Sequence, residues 1–132
     1  MPSDRKVVYL ADLTHTGPVI SSNVHPLAVG LIGAYLCQEF SDYIKVELFK
    51  YPQDLTRALD ECIPDVLGFS HYSWNSEISH AYARALKAQC PGSAVIFGGP
   101  NYGSTTVEAS QFWERRPAVD FVVAGEGELA MA

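Results

Sequence analysis

Positive charge is scarce and scattered in this chain. Nine Lys and Arg against fifteen Asp and Glu leave a formal net charge of −6, and the basic residues occur singly or in pairs such as Arg5 with Lys6 and Arg115 with Arg116. Nucleic-acid binding needs clustered cations, so no nucleic-acid partner is expected. Long hydrophobic runs are also missing. None approaches the roughly 20 residues that span a bilayer, and the opening MPSDRKVVYL enters a short strand-like run instead of a signal-peptide core, so no membrane partner is expected and the location is expected to be cytoplasmic. Cysteine is limited to Cys37, Cys62 and Cys90. They are an odd set, far apart, with no Cys-x-x-Cys and no Cys-x-x-x-Cys-x-x-Cys, which excludes an iron–sulfur cluster built from this chain alone and suits three partly buried thiols in a reducing compartment. Neither Gly-x-x-x-x-Gly-Lys nor, after the first strand-like run, Gly-x-Gly-x-x-Gly occurs, so a phosphate-cradling nucleotide enzyme fits poorly.

What is present is an ordinary globular composition, 132 residues with 48% hydrophobic and 18% charged, enough for one domain with a real core. Short apolar, β-branched runs alternate with segments of helical spacing, the pattern of a parallel sheet between helices. Strands are predicted over Lys6–Ala11, Val46–Phe49, Val66–Ser70, Ala94–Phe97 and Phe121–Ala124. The third and fourth do not alternate polar with apolar, so burial on both faces is expected. The first helix is predicted to begin near His25 and Pro26, with an apolar stripe of Leu27, Ala28, Leu31, Ile32, Tyr35 and Leu36. Gly30 and Gly33 inside it cost about 1 kcal/mol each against alanine, which points to close packing of the helix backbone on the sheet. The second helix runs from Pro52 to about Cys62 and is stopped by Pro64. The third has Asn75 as its N-cap candidate and Ile78, Ala81, Tyr82, Ala85 and Leu86 as its inward face. The fourth, Thr106 to Arg115, carries Phe112 inward, with Trp113 a second candidate, and Pro117 ends it. Right-handed crossovers give a doubly wound α/β fold, a five-stranded parallel sheet of flavodoxin-like (Rossmann-like) order 2-1-3-4-5, with ligands expected outside the carboxyl ends of the strands.

The loops at that edge are rich in small and hydrogen-bonding residues. Asp12 to His25 is too long for a bare strand-to-helix connection, and long loops at this edge are usually functional. After the third strand come Ser70, His71, Tyr72, Ser73, Trp74 and Asn75, whose aromatics make an apolar wall with polar tips suited to a large flat cofactor, or else flank a helix cap as surface aromatics. After the fourth come Gly98, Gly99, Pro100, Asn101, Tyr102 and Gly103, where missing β-carbons let a ligand lie against the backbone or simply permit a tight turn. After the fifth come Gly125, Glu126, Gly127 and Glu128, acids that favour a helix N-terminus. Asp12, His15 and His25 match no standard metal spacing, so no metal ligand is assigned.

In order along the chain, VYLADLTHTGP, SSNVHPLAVGLIGAYL, PDVLGFSHYSWNSE and FGGPNY followed by VDFVVAGEGE resemble the N-terminal cobalamin-binding domain of cobalamin-dependent radical S-adenosylmethionine enzymes. The resemblance covers essentially the whole chain. It implies that Ser70 meets the dimethylbenzimidazole tail, that Gly98 and Gly99 make room for it, and that Gly125, Glu126 and Gly127 line the last loop. Thr14, His15, Tyr72, Trp74, Asn75, Pro100, Asn101 and Tyr102 are candidates for the remaining wall. Cobalamin domains that ligate cobalt from below use Asp-x-His-x-x-Gly, whereas Asp12, His15 and Gly17 here are spaced with the histidine one residue later. A cobalamin held with its own base displaced and without a protein histidine on cobalt is therefore implied. The resemblance further implies that residues 1–132 are one cobalamin-binding domain, a fragment lacking a covalently following radical SAM domain that would hold a 4Fe-4S cluster and S-adenosylmethionine. Methyl transfer or radical rearrangement would then belong to the intact protein, not to this fragment.

Two other readings compete. An FMN-binding flavodoxin-like module draws on Thr14, Thr16, Ser21 and Ser22 as a phosphate loop after the first strand, against which His15, Pro18 and the loop's length count. A phosphoacceptor receiver domain wants an aspartate at the end of the third strand, where Ser70 stands.

Overall fold

The computed structural model describes residues 5–14, 27–72, 75–98 and 106–123, without the side chains of residues 27–28 and 106–109. Chain order is β1 (Lys6–Ala11), α1 (Leu27–Phe40), β2 (Ile44–Phe49), α2 (Pro52–Glu61), β3 (Val66–Ser70), α3 (Ser76–Gln89), β4 (Ala94–Gly98), α4 (Thr106–Arg115) and β5 (Phe121–Val123). All strands are parallel, in the order β2-β1-β3-β4-β5. This is the predicted α/β fold with the predicted strand order. Strand β2 starts two residues earlier than expected, at Ile44, because its edge position against β1 extends the pairing to Lys6. Ala124, His25 and Pro26 lie outside the described residues.

Side chains alternate along a strand, so the register sorts the sheet into two faces. Tyr9, Ala11, Leu67, Phe69, Val95 and Phe97 join Leu55 of α2, Ala83 and Leu86 of α3 and Phe112 of α4 in one large core. Edge-to-face pairs of Tyr9 with Phe49 at 5.0 Å and of Phe69 with Phe97 at 5.3 Å lie within it. Val8 and Leu10 on the opposite face meet Val29 and Leu36 of α1. Fully buried Leu55, Leu67 and Leu86 each contribute about 1.5–3 kcal/mol.

Burial on both faces holds for β3, where all residues after Val66 are buried, but not for β4. Val95 and Phe97 are buried on the α2–α4 side, whereas Ala94, Ile96 and Gly98 on the other side are half-buried. The reason is coverage: α1 lies mainly over β2 and β1, and no described helix covers the β4–β5 half of its face.

Two helices are rolled about their axes relative to the sequence-based faces. In α1 the buried side runs through Val29, Gly33 and Leu36, while Leu31 is exposed. The helix is apolar on nearly every side, so periodicity alone does not choose its face, and the missing side chain at Gly33 lets it seat there. A Cβ at Gly33 would come within 3.1 Å of Leu48 Cδ2, in keeping with close packing on the sheet, whereas at Gly30 it would meet none of the described residues within 4 Å. In α3 the buried set is Ser76, Ser79, His80, Ala83 and Leu86, with Ile78 and Tyr82 partly buried and Ala81 and Ala85 exposed. Tyr82 turns toward α2, where its hydroxyl donates to the Pro52 carbonyl at 2.9 Å and meets Thr56 Oγ1 at 2.6 Å. Phe112 is buried in α4, but Trp113 is exposed, since its neighbour already fills the inward position. The thiols are free; Cys37 and Cys62 are exposed and Cys90 is half-buried, so the expectation of three partly buried thiols holds for Cys90 alone.

At the amino ends of the strands, carboxylates complete the ladder. Asp65 Oδ2 accepts from the Val7 amide and Asp120 Oδ2 from the Val95 amide, each at 2.8 Å. Lys87 pairs with Asp120 and donates to the Ser93 carbonyl at 2.6 Å. The glycines of α1 provide a test of the packing: Gly30→Ala should raise stability by up to ~1 kcal/mol, whereas Gly33→Leu should lower it by about 1–3 kcal/mol through overpacking, both read from urea unfolding midpoints.

Candidate functional site

The first crossover, through α1, carries the chain from β1 to β2, and the later ones carry it the other way through β3, β4 and β5. The loops after β1 and β3 therefore leave neighbouring strands in opposite directions, which opens a crevice at their carboxyl ends. Thr14, Ser70, Tyr72, Asn75 and Gly98 are the sequence-predicted site residues that the structure describes, and all belong to this edge. His15, Trp74, Gly99, Pro100, Asn101, Tyr102, Gly125, Glu126 and Gly127 lie outside the described residues.

Register places Leu10 beside Gly68 and Gly68 beside Ile96, and places Ser70 beside Gly98 and Gly98 beside Val123. Gly68, Ser70 and Gly98 thus form a patch of small residues on the α1 face at its carboxyl end. Among the described residues, a Cβ built at Gly98 would come closest to Val123, at 3.8 Å. That is ordinary contact, so none of the described residues requires glycine there. Ser70 is buried, at 6% exposure. The sequence marks Gly68 only through its two-residue spacing from Ser70 within a predicted strand, which puts both on one face of the sheet.

The loop after β3 is held from within. Asn75 is at 0% exposure. Its Oδ1 accepts from the Tyr72 amide at 2.8 Å, and its Nδ2 donates to the carbonyls of Ser70 at 3.1 Å and Leu13 at 3.2 Å. Asn75 occupies the N-cap position of α3 as predicted, yet its side chain caps no helical amide. The closer Tyr72 amide takes its oxygen instead, a side-chain turn that competes with capping. Half-buried Asp12, at the end of β1, has its carboxyl held above the usual range by burial, opposed by Lys50.

Behind the loop, His71 is 2% exposed and sits 4.8 Å from the Phe97 ring and 5.4 Å from the Phe112 ring, centre to centre. Its Nε2 lies 2.8 Å from Ser76 Oγ, which also receives Arg116 Nε at 3.1 Å and Arg116 Nη2. Arginine only donates, so the Ser76 proton goes to His71 Nε2, and the ring proton sits on Nδ1. The Arg116 guanidinium lies 4.9 Å over the Phe112 ring. This group joins residues forty positions apart, and no local pattern announces it. Among the described residues, no cluster of three or more His, Cys, Asp or Glu has the arrangement to hold a metal ion.

A model of the family described as the B12 binding domain matches residues 16–132. The chain belongs to that family. Over 111 residues this B12 binding domain is 33% identical to a 2-(S-pantetheinyl)-carbapenam-3-carboxylate methyltransferase of Streptantibioticus cattleyicolor, covering 80% of the chain and 16% of the relative. Over 110 residues it is 32% identical to the cobalamin-dependent radical SAM methyltransferase TokK of Streptomyces tokunonensis, with the same two coverages of 80% and 16%. The chain thus spans 16% of the length of these curated relatives. A solved structure of a cobalamin-binding protein from Desulfitobacterium hafniense shares the fold with a TM-score of 0.64 at 15% identity, over 96% of this chain and 58% of that one. Among the described residues, no helix of the B12 binding domain is long and apolar enough to cross a membrane.

Burial, with the Arg116 and His80 charges, lowers the His71 pKa to about 4. An unfolded histidine titrates near 6.5, so between about 4 and 6.5 the unfolded chain binds the extra proton. The stability tied to a neutral His71 is complete above about pH 6.5 and lost as pH falls toward 4, by roughly 3 kcal/mol. Urea unfolding at several pH values should show this decline, and His71→Gln, which keeps an acceptor for Ser76, should decline less steeply.

Proposed function

We propose that this B12 binding domain holds cobalamin across the carboxyl edge of its sheet and serves as the cobalamin-binding module of a radical SAM methyltransferase. The observation that carries the reading is the patch formed by Gly68, Ser70 and Gly98 on the α1 face. It lies at the switch-point crevice, where open α/β sheets take their ligands, and a flat heterocyclic tail can lie against it without meeting a side chain at Gly98.

Within this reading Ser70 supplies a hydroxyl that fixes the tail's position and Gly98 supplies the room. The loops after β1 and β3 hold the corrin side, with Thr14, His15, Tyr72 and Trp74 as wall residues. Gly99, Pro100, Asn101, Tyr102, Gly125, Glu126 and Gly127 complete the wall from the loops after β4 and β5. No histidine of this chain is assigned to cobalt, since the spacing of Asp12, His15 and Gly17 departs from the ligating pattern. Bound cobalamin supplies one-carbon transfer chemistry at cobalt, and a 4Fe-4S cluster with S-adenosylmethionine supplies radical initiation. Three widely spaced cysteines give this chain no means of holding the cluster. The cluster and S-adenosylmethionine are assigned to a radical SAM domain of the intact protein, a reading supported by the relative named a cobalamin-dependent radical SAM methyltransferase, and residues 1–132 to one cofactor domain of a cytoplasmic enzyme. Methyl transfer is favoured over radical rearrangement because both curated relatives are methyltransferases.

Absorbance after incubation with hydroxocobalamin or FMN and removal of free ligand checks the reading. A corrin spectrum of base-off type should be retained, unchanged by His15→Ala, and no flavin should remain. Gly98→Val and Ser70→Leu should weaken retention on the order of tenfold, about 1.4 kcal/mol. Gly98→Val should do so with little change in the unfolding midpoint, since a Cβ at Gly98 makes only ordinary contact with Val123. Retained flavin, or retention of neither chromophore, contradicts the proposal.

A further inference from the structure

We propose that Asn75 is a positioning residue that ties the loop after β1 to the loop after β3 and so fixes the crevice before any ligand arrives; the inference rests on the cobalamin reading. The pairing of β1 with β3 ends at Ala11 and Phe69. Beyond it, the backbone of the first loop is tied to the β2 side, through Asp12 N to the Phe49 carbonyl at 2.9 Å and Thr14 N to the Lys50 carbonyl at 3.0 Å. The Asn75 amide continues the tie on the other side. One nitrogen donates to Leu13 of the first loop and to Ser70 at the end of β3, and the oxygen of the same group accepts from Tyr72. A three-way bridge through one planar amide sets the separation of the two loops and the position of the Ser70 backbone together. Because Asn75 has no exposed surface and both amide hydrogens are donated, it acts through Ser70 and the loops and does not form part of the wall. Preorganised loops bind more tightly because less order is imposed at binding, and a shell held loosely by even about 1 Å forfeits that advantage.

Asn75→Asp keeps the shape, removes both donors and sets a carboxylate against two carbonyls. Asn75→Ser, which leaves room for water to meet the same carbonyls, is the gentler variant if the first does not fold. Leu86→Ala in the core face of α3 is the control for stability alone, since Leu86 takes no part in the bridge. The intact protein is titrated with hydroxocobalamin, and amide hydrogen exchange is followed without ligand. The Asn75 variants should bind on the order of tenfold more weakly, with faster exchange confined to residues 13–14 and 70–72. Leu86→Ala should lower the unfolding midpoint while leaving affinity within about twofold. Asn75 variants that bind as Leu86→Ala does overturn the positioning role and leave the cobalamin reading standing. A wild-type protein that binds no hydroxocobalamin overturns that reading, and the positioning role with it.

Discussion

The structure depends on the direction of one crossover. A parallel pair of strands needs a long connection, and its right-handedness decides which face the connecting helix covers. Here the first crossover runs toward β2 and the rest run toward β5. Among the described helices, α1 therefore sits alone on one face while α2, α3 and the Phe112 position of α4 share the other. Two properties follow. The carboxyl ends of β1 and β3 splay their loops apart, and Gly68, Ser70 and Gly98 line up on the α1 face, the first two buried and Gly98 half-buried.

The two ends of the sheet are stabilised differently. At the amino end, Asp65 and Asp120 complete the strand ladders with hydrogen bonds near the surface. At the carboxyl end, the side chains of Asn75, His71 and Ser76 are buried and hydrogen-bonded, whereas Ser79 Oγ and His80 Nε2 are buried without a hydrogen-bond partner among the described residues. Asn75 bridges three backbone groups, and His71, Ser76 and Arg116 form a linked set against Phe97 and Phe112. Buried polar groups are costly when unpaired and rigid when satisfied. Placing them behind the carboxyl edge gives geometry there at the expense of pH tolerance, since the Ser76 pairing needs a neutral His71.

Much of the fold is legible in the sequence because strands and helices alternate cleanly and their ends carry Pro, Gly and short polar breaks. The bounds of β1, β3 and α4 agree with the expectation from the residues alone. The faces of α1 and α3 were harder to read. One is apolar nearly all round, and the other buries Ser79 and His80 instead of Ala81 and Ala85, a choice made by packing on the sheet and on α2. Ser70 and Gly98 are each legible in the sequence, but their adjacency is a matter of register between β3 and β4. The link from Arg116 to Ser76 is purely tertiary, and nothing in either segment foretells it.

A crystal structure of the protein soaked with hydroxocobalamin tests the central claim most directly. The account predicts the corrin over the carboxyl ends of β1 and β3, with its heterocyclic tail on the α1 side in contact with Ser70 and Gly98. Cobalamin bound against the α2–α3 face, along the β2 edge, or anywhere that leaves Ser70 and Gly98 untouched would contradict it.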